Sequence, residues 1–236
     1  MTSIQFPKKD GVDVRYAVRG LIILLAVIAA GLVAYAFFQS FVGYLEIGEI
    51  GAQYTVIFWQ NMRTRLLIGG IAFLLIFVLF YANHCLVLRI ITNRDATMSQ
   101  FQKPLLSFFL SFIYAFLCGW LLSGEIYDSF LTFVNPTPFE YGDLLFNVDV
   151  GYYVFSRPFL TELVSYISTT WLGIFAYTLI VNGITAARLS VLNRKFRHET
   201  AMLNHLGGAL AGYILLNLFR YRFSLEDLLY GSFDGL

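Results

Sequence analysis

The chain has 236 residues, enough for one or two soluble domains, but its composition excludes that class. Apolar residues make up 58% against a usual value of about 45–50%, and charged residues only 13% against about 25%. Mean hydropathy is +0.69, and the net charge of +1 sets aside nucleic acid as a partner, which would call for a basic patch.

Crossing roughly 30 Å of hydrocarbon takes about 20 helical residues. Five uncharged apolar runs meet that length, at about 21–42, 66–88, 104–123, 163–187 and 200–219. Each is expected to be a helix, because a lone strand leaves its backbone groups unpaired in lipid. The runs are continuously apolar rather than alternating, which rules out a transmembrane β-barrel. The expected fold is therefore an all-α integral membrane protein, a single membrane domain over residues 1–236 with five transmembrane helices and aromatic, partly ordered outer loops.

The first run follows Lys8, Lys9, Arg15 and Arg19, and Ala34-Tyr35-Ala36 looks like a signal-peptide cleavage site. The run is too long for a signal peptide and continues through Phe37, Phe38 and Phe41, so it reads as an uncleaved signal anchor. After it, Tyr54 to Trp59 forms an aromatic stretch in the first outer loop. The long outer loop, about 124–162, mixes aromatics and acids with Pro136, Pro138 and Pro158. Within it, Glu125 to Phe133 reads as a short amphipathic helix with Ile126, Phe130 and Phe133 on one face, stopped by Asn135-Pro136-Thr137-Pro138. Val148 to Phe155 reads as β-prone or as an extended interfacial segment. Pro158 suits the first turn of the fourth membrane helix. The segment Phe139 to Phe159 is expected to be ordered over the helix ends, since four clustered rings in a solvated linker would invite association.

Charge sets the orientation. With the N-terminus inside, residues 1–20, 89–103 and 188–199 face the cytoplasm and hold 11 of the 16 basic residues; the other five are Arg63, Arg65, Arg157, Arg220 and Arg222. Eleven of the 15 acids fall on the outside. The expected location is a bacterial cell (inner) membrane, multi-pass, N-terminus cytoplasmic and C-terminus extracytoplasmic.

Ionisable residues inside a membrane span point to function, and only His84 and His205 come near. Running their helices in opposite senses places both at similar depth near the inner ends, where a pair of imidazoles could ligate a haem or a metal. Two histidines without further ligands make no motif, so the expectation is that both bond to neighbouring helices or to lipid headgroups and that no cofactor or metal is held. Cys85 and Cys118 fall about 20 Å apart in depth, beyond disulfide reach. Gly208 and Gly212, with Gly207 and Ala211 beside them, allow close helix approach, as do Gly69-Gly70 and Ala30-Gly31 with Ala34 in milder form. Asn83, Asn182 and Asn217 could line a path, but such residues more often bond across helices, as is expected here. Outside, Asp143, Asp149 and Arg157 could shape a site for a partner or an ion. No GxxxxGK[ST], HExxH or CxxC motif occurs.

Several segments in succession resemble a known family. Pro138-Phe139 followed by Asp143-Leu144-Leu145-Phe146-Asn147-Val148-Asp149-Val150-Gly151-Tyr152-Tyr153-Val154-Phe155-Ser156-Arg157-Pro158-Phe159 looks like its "PFG…DPxFxxDxxFYVFxLPF" signature. Gly43 to Gly48 with Val56-Ile57-Phe58-Trp59 is similar to its "WFxExGY…VFW" element. His205-Leu206, Arg220-Tyr221-Arg222-Phe223 and Leu228-Leu229-Tyr230 are similar to its "HL…LDRYELLYS" element. Asp143-Leu144 departs from the usual Asp-Pro. The family is an uncharacterised bacterial multi-pass membrane family of unknown function, with about seven membrane helices followed by a large extracytoplasmic domain. The resemblance implies that the chain corresponds to the N-terminal portion only, and it implies no reaction, substrate or cofactor. The expected role is a non-enzymatic membrane scaffold or anchor subunit that presents an extracytoplasmic surface to a membrane-protein partner or to a missing C-terminal domain. The alternative is a transporter or channel component.

Overall fold

The computed structural model describes residues 14–91, 102–142, 147–191 and 199–227. Six helices carry the fold: α1 (Val14–Ile50), α2 (Thr55–Ile91), α3 (Gln102–Glu125), the short α4 (Tyr127–Val134), α5 (Arg157–Val191) and α6 (Glu199–Asp227). Five of them are long and apolar enough to cross a membrane. They coincide with the five apolar runs but extend further, because hydropathy marks only the apolar middle of a helix. The largest difference is at α2, which starts at Thr55 rather than near Leu66. Thr55 to Trp59, expected in a loop, is thus the first turn of α2, joined to α1 through a 3-10 turn at Ala52–Tyr54. At 37 residues, α1 and α2 are each about 55 Å long.

The bundle is built on the α2–α3 pair. Gly119 permits their close approach: a Cβ there would lie 2.8 Å from the Gly69 carbonyl oxygen. Along the seam, Phe73, Phe77 and Tyr81 stack at one-turn intervals on α2, and Phe108, Phe112, Phe116 and Trp120 do the same on α3. The two ladders meet edge to face at Phe73–Phe112 (5.4 Å) and Phe77–Phe108 (5.6 Å). The buried core beneath them is Ala72, Ile76, Ala115, Leu122 and Ile126.

α5 and α6 form a second pair, laid against α2. Trp171 of α5 packs where Gly212 of α6 leaves room; a Cβ at Gly212 would be 2.8 Å from its ring. The Trp171 indole N–H donates to the Ala209 carbonyl at 2.8 Å. Gly207 and Gly208 face open space, so only one glycine of that run carries the packing. α1 leans chiefly on α3 through a narrow stripe, Val18, Leu25, Ala29 and Ala36, and none of its residues beyond Ala36 is buried. Cys85 and Cys118 are half-buried free thiols.

One end of the bundle carries a cap. α4 forms as the amphipathic pattern predicts: Ile126 before it is buried, and Phe130 and Phe133 pack on Phe159 at 5.7 and 4.6 Å. The β-prone reading of Val148 to Phe155 is corrected. Among the described residues the pairing amounts to one isolated bridge, Gly142 with Asp149, and Tyr152–Ser156 is a π turn that runs into α5. A single bridge has no neighbouring strand to extend it, whereas the turn joins a long helix already propagating from Arg157 and Pro158.

Candidate functional site

Two polar constellations stand out in this apolar chain. The first lies inside the bundle, where α2, α5 and α6 meet. Asn83 and His84 are consecutive on α2 and reach different neighbours. His84 is buried, and its Nδ1 shares a hydrogen bond with the Tyr177 hydroxyl of α5. Asn83 Nδ2 donates to Thr178 Oγ1 at 3.0 Å, and the Thr178 hydroxyl donates to the Ile174 carbonyl at 2.8 Å. From α6, His205 Nε2 donates to Asn83 Oδ1 at 3.0 Å. Asn182, one turn beyond Thr178, is fully buried and donates to the Thr178 carbonyl at 2.9 Å.

The structure therefore brings His84 and His205 into one neighbourhood, each engaged with another helix. Each imidazole spends one nitrogen, while His84 Nε2, His205 Nδ1 and Asn182 Oδ1 are buried without a partner. No cluster of three or more His, Cys, Asp or Glu suited to a metal occurs among the described residues. What this network does physically is lock three helices in register, since polar groups in an apolar interior are costly unless they satisfy one another. Of the three asparagines expected to bond across helices, Asn83 does so, whereas Asn182 and Asn217 donate to carbonyls of their own helices, Thr178 and Tyr213.

The second constellation is the cap. Asp149 accepts three backbone N–H groups through its carboxylate: Phe139 at 3.2 Å, Glu140 at 2.8 Å and Gly151 at 2.6 Å. Those bonds, the one from Phe139 foremost, hold its carboxyl below the usual aspartate range. The residue thus ties the segment after α4 to the π turn, and the Val150 N–H adds a bond to the Tyr141 carbonyl at 2.9 Å. Gly151 is required there: a Cβ would sit 2.7 Å from the Thr137 carbonyl oxygen.

Arg157 does not join Asp149, as the sequence reading grouped it. It reaches the far end of α6 instead, with Nε 3.2 Å from Glu226 Oε2 and Nη2 donating to the Phe223 carbonyl at 2.9 Å. Arg222 lies on the other side of the Glu226 carboxylate at 3.6 Å. Asp143 lies outside the described residues. The Arg157–Glu226 pair escaped the sequence reading, although the depth matching that aligned the two histidines would have found it. Around the tied loop, the cap shows apolar groups to its surroundings: Tyr141 is 76% exposed, with Val134, Phe139 and Val154 about half exposed.

Comparison with known proteins agrees with this picture at the level of family. Residues 19–236 match the uncharacterised protein family UPF0182. A UPF0182 protein of Caldicellulosiruptor saccharolyticus is 29% identical over 217 residues, which is 91% of this chain but 24% of that protein. One of Pelotomaculum thermopropionicum is 27% identical over 82% of this chain and 23% of the relative, and one of Methanospirillum hungatei is 30% identical over 57% and 14%. The chain spans about a quarter or less of the length of these relatives. No solved structure matches it. The chain belongs to the UPF0182 family.

Proposed function

From a chain that belongs to UPF0182, we propose a non-enzymatic membrane scaffold, the multi-pass portion of a larger assembly, which holds an ordered cap at the extracytoplasmic face for a partner protein or a further domain. Large apolar side chains pointing outward along the helices, among them Phe37, Leu67 and Ile184, each more than 60% exposed, support placement in lipid. The concentration of 11 of the 16 basic residues in the sequence segments 1–20, 89–103 and 188–199 supports a cytoplasmic N-terminus.

The observation that carries the reading is the cap surface. A loop pinned by three hydrogen bonds to one carboxylate, yet displaying Phe139, Tyr141 and Val154, has the form of a docking surface rather than of a linker. The test is a photo-cross-linking amino acid at Tyr141 in living cells that carry the natural assembly. A discrete protein adduct supports the proposal, and adducts to lipid alone overturn it. The transporter reading has one observation in its favour, the unpartnered polar atoms between α2, α5 and α6. Against it, α5 and α6 run unbroken past that site, whereas midplane transport sites are typically built from interrupted helices.

A further inference from the structure

Beyond Ala36 no residue of α1 is buried, although Tyr44 packs on Phe58 and Trp59 of α2, and between this half of α1, α2 and α3 lies a groove of about 880 Å³, within the range of sites that hold a small ligand. The groove is amphiphilic along its length. Its deep part is walled by Phe73, Phe112 and Phe116, the cap-side portion of the aromatic ladders, and its part nearer the cap is lined by Glu46, Asn61 and Arg65. An apolar occupant alone would leave both charges without purpose, and a soluble polar one would leave the rings wet.

The two charges line the same part of the groove. Glu46 lies four residues from the cap end of α1, and Arg65 ten residues from the cap end of α2, so their Cα atoms differ in depth by roughly 9 Å. Side chains lean toward the N-terminus of their own helix. Arg65 on α2 therefore leans toward the cap, and Glu46 on the antiparallel α1 leans away from it, which closes most of that gap. Arg65 is also held in place: its guanidinium lies 4.9 Å over the Tyr127 ring, and the Tyr127 hydroxyl donates to Asn61 Oδ1 at 2.5 Å.

We propose that this groove seats one zwitterionic phospholipid with a phosphate and a primary ammonium, of the phosphatidylethanolamine type. The phosphate meets Arg65, the ammonium meets Glu46, and one acyl chain lies along Phe116, Phe112 and Phe73. An ammonium offers N–H donors to the Glu46 carboxylate, which an uncharged glycerol headgroup does not. The inference rests on the proposed placement in a membrane.

The test uses the full chain purified in mild detergent, with bound lipid counted by native mass spectrometry after addition of phosphatidylethanolamine or phosphatidylglycerol. Gly70 lines the groove with nothing within 4 Å of where a Cβ would be, so Gly70→Leu fills the groove without displacing a neighbour. One phosphatidylethanolamine per chain is expected, lost by about tenfold in Gly70→Leu and in Arg65→Gln, the size of one charge-assisted contact. Glu46→Gln should erase the preference over phosphatidylglycerol. Equal uptake of both lipids by the parent chain, or uptake that none of the variants alters, means annular lipid only and overturns the proposal. So does a photo-cross-linker in place of Tyr35, an exposed side chain at the groove's edge, that captures a partner polypeptide in place of lipid. Failure here leaves the membrane placement standing, because thiol labelling of the two faces tests that separately.

Discussion

Arg157, the first residue of α5, bonds to Glu226 in the last turn of α6, 3.2 Å apart across 69 residues of sequence, with only 16% and 6% of their side chains exposed. Helix ends in a bundle fray unless tied, and this pair ties two of them beneath the cap. The guanidinium also serves the Phe223 carbonyl near the negative end of α6. Removing one member leaves the other largely buried and short of a partner. Arg157→Gln is therefore expected to lower stability by about 2–4 kcal/mol, less than a fully buried pair because Arg222 still neutralises Glu226. Thermal unfolding in detergent of both single variants and the double variant should give a coupling energy of about 1–3 kcal/mol.

Asp149 makes the cap sensitive to acid. Its carboxyl titrates below the usual aspartate value because three backbone amides favour the charged form. A depressed value in the folded state means the stabilisation is fully present above about pH 4 and is lost as pH falls further. Protection of the Phe139, Glu140 and Gly151 amides from hydrogen exchange, taken relative to their intrinsic rates at each pH, should fall below that point, while protection in α2 and α3 stays unchanged. In Asp149→Asn one of the two acceptor oxygens becomes a donor, so part of this protection, at the Glu140 amide first, should already be lost at neutral pH, with no further acid transition.

The two glycines of α6 that share a spacing of four should behave differently. Gly212→Ala drives a methyl into Trp171, and Gly208→Ala meets open space. Overpacking costs typically about 1–3 kcal/mol, so the melting temperature in detergent should fall for the first and hold or rise for the second. Equal losses would mean that the Gly208 face is buried in an assembly.

Tyr153 is buried and Phe155 stacks on Phe139 with ring centres 6.2 Å apart. Replacing both by Ser removes the rings that seat the π turn. A fully buried ring contributes about 1.5–3 kcal/mol, and since Phe155 is only half-buried the pair together should cost roughly 3 kcal/mol in detergent melting. Cleavage by an added protease near Tyr141 should rise in parallel.

Orientation is tested in intact cells. In a background without Cys85 and Cys118, a cysteine at Asn147 should react with a membrane-impermeant thiol reagent, and one at Asn193 should react only after the cells are opened. The reverse pattern would invert the topology inferred from the basic residues.

The five long helices were legible in the sequence because an apolar run of membrane length has few other solutions. Their ends were not. Thr55 to Arg65 is polar enough to be read as loop, yet the backbone continues its hydrogen bonds through it into α2. α4 was legible from the spacing of Ile126, Phe130 and Phe133. The π turn was not, since β-branched and aromatic residues favour a strand only where another strand is present to pair with. That the two histidines share one level of the bundle was legible, but their partners, Tyr177 and Asn83, are set by how α5 and α6 pack, which spacing within one helix does not encode. The same holds for Arg157, whose nearest acids in sequence are not the acid it binds.

The neighbour relations of α1 bear on the order in which the molecule assembles. α1 leans on α3 rather than chiefly on α2, so its packing surface is covered only once α3 has been made. It is suited to wait: its packing stripe of Val18, Leu25, Ala29 and Ala36 holds no polar group that needs a partner meanwhile. α2 is suited otherwise. Asn83 and His84 find their partners only when α5 and α6 arrive, which gives these later helices a fixed landing place on α2.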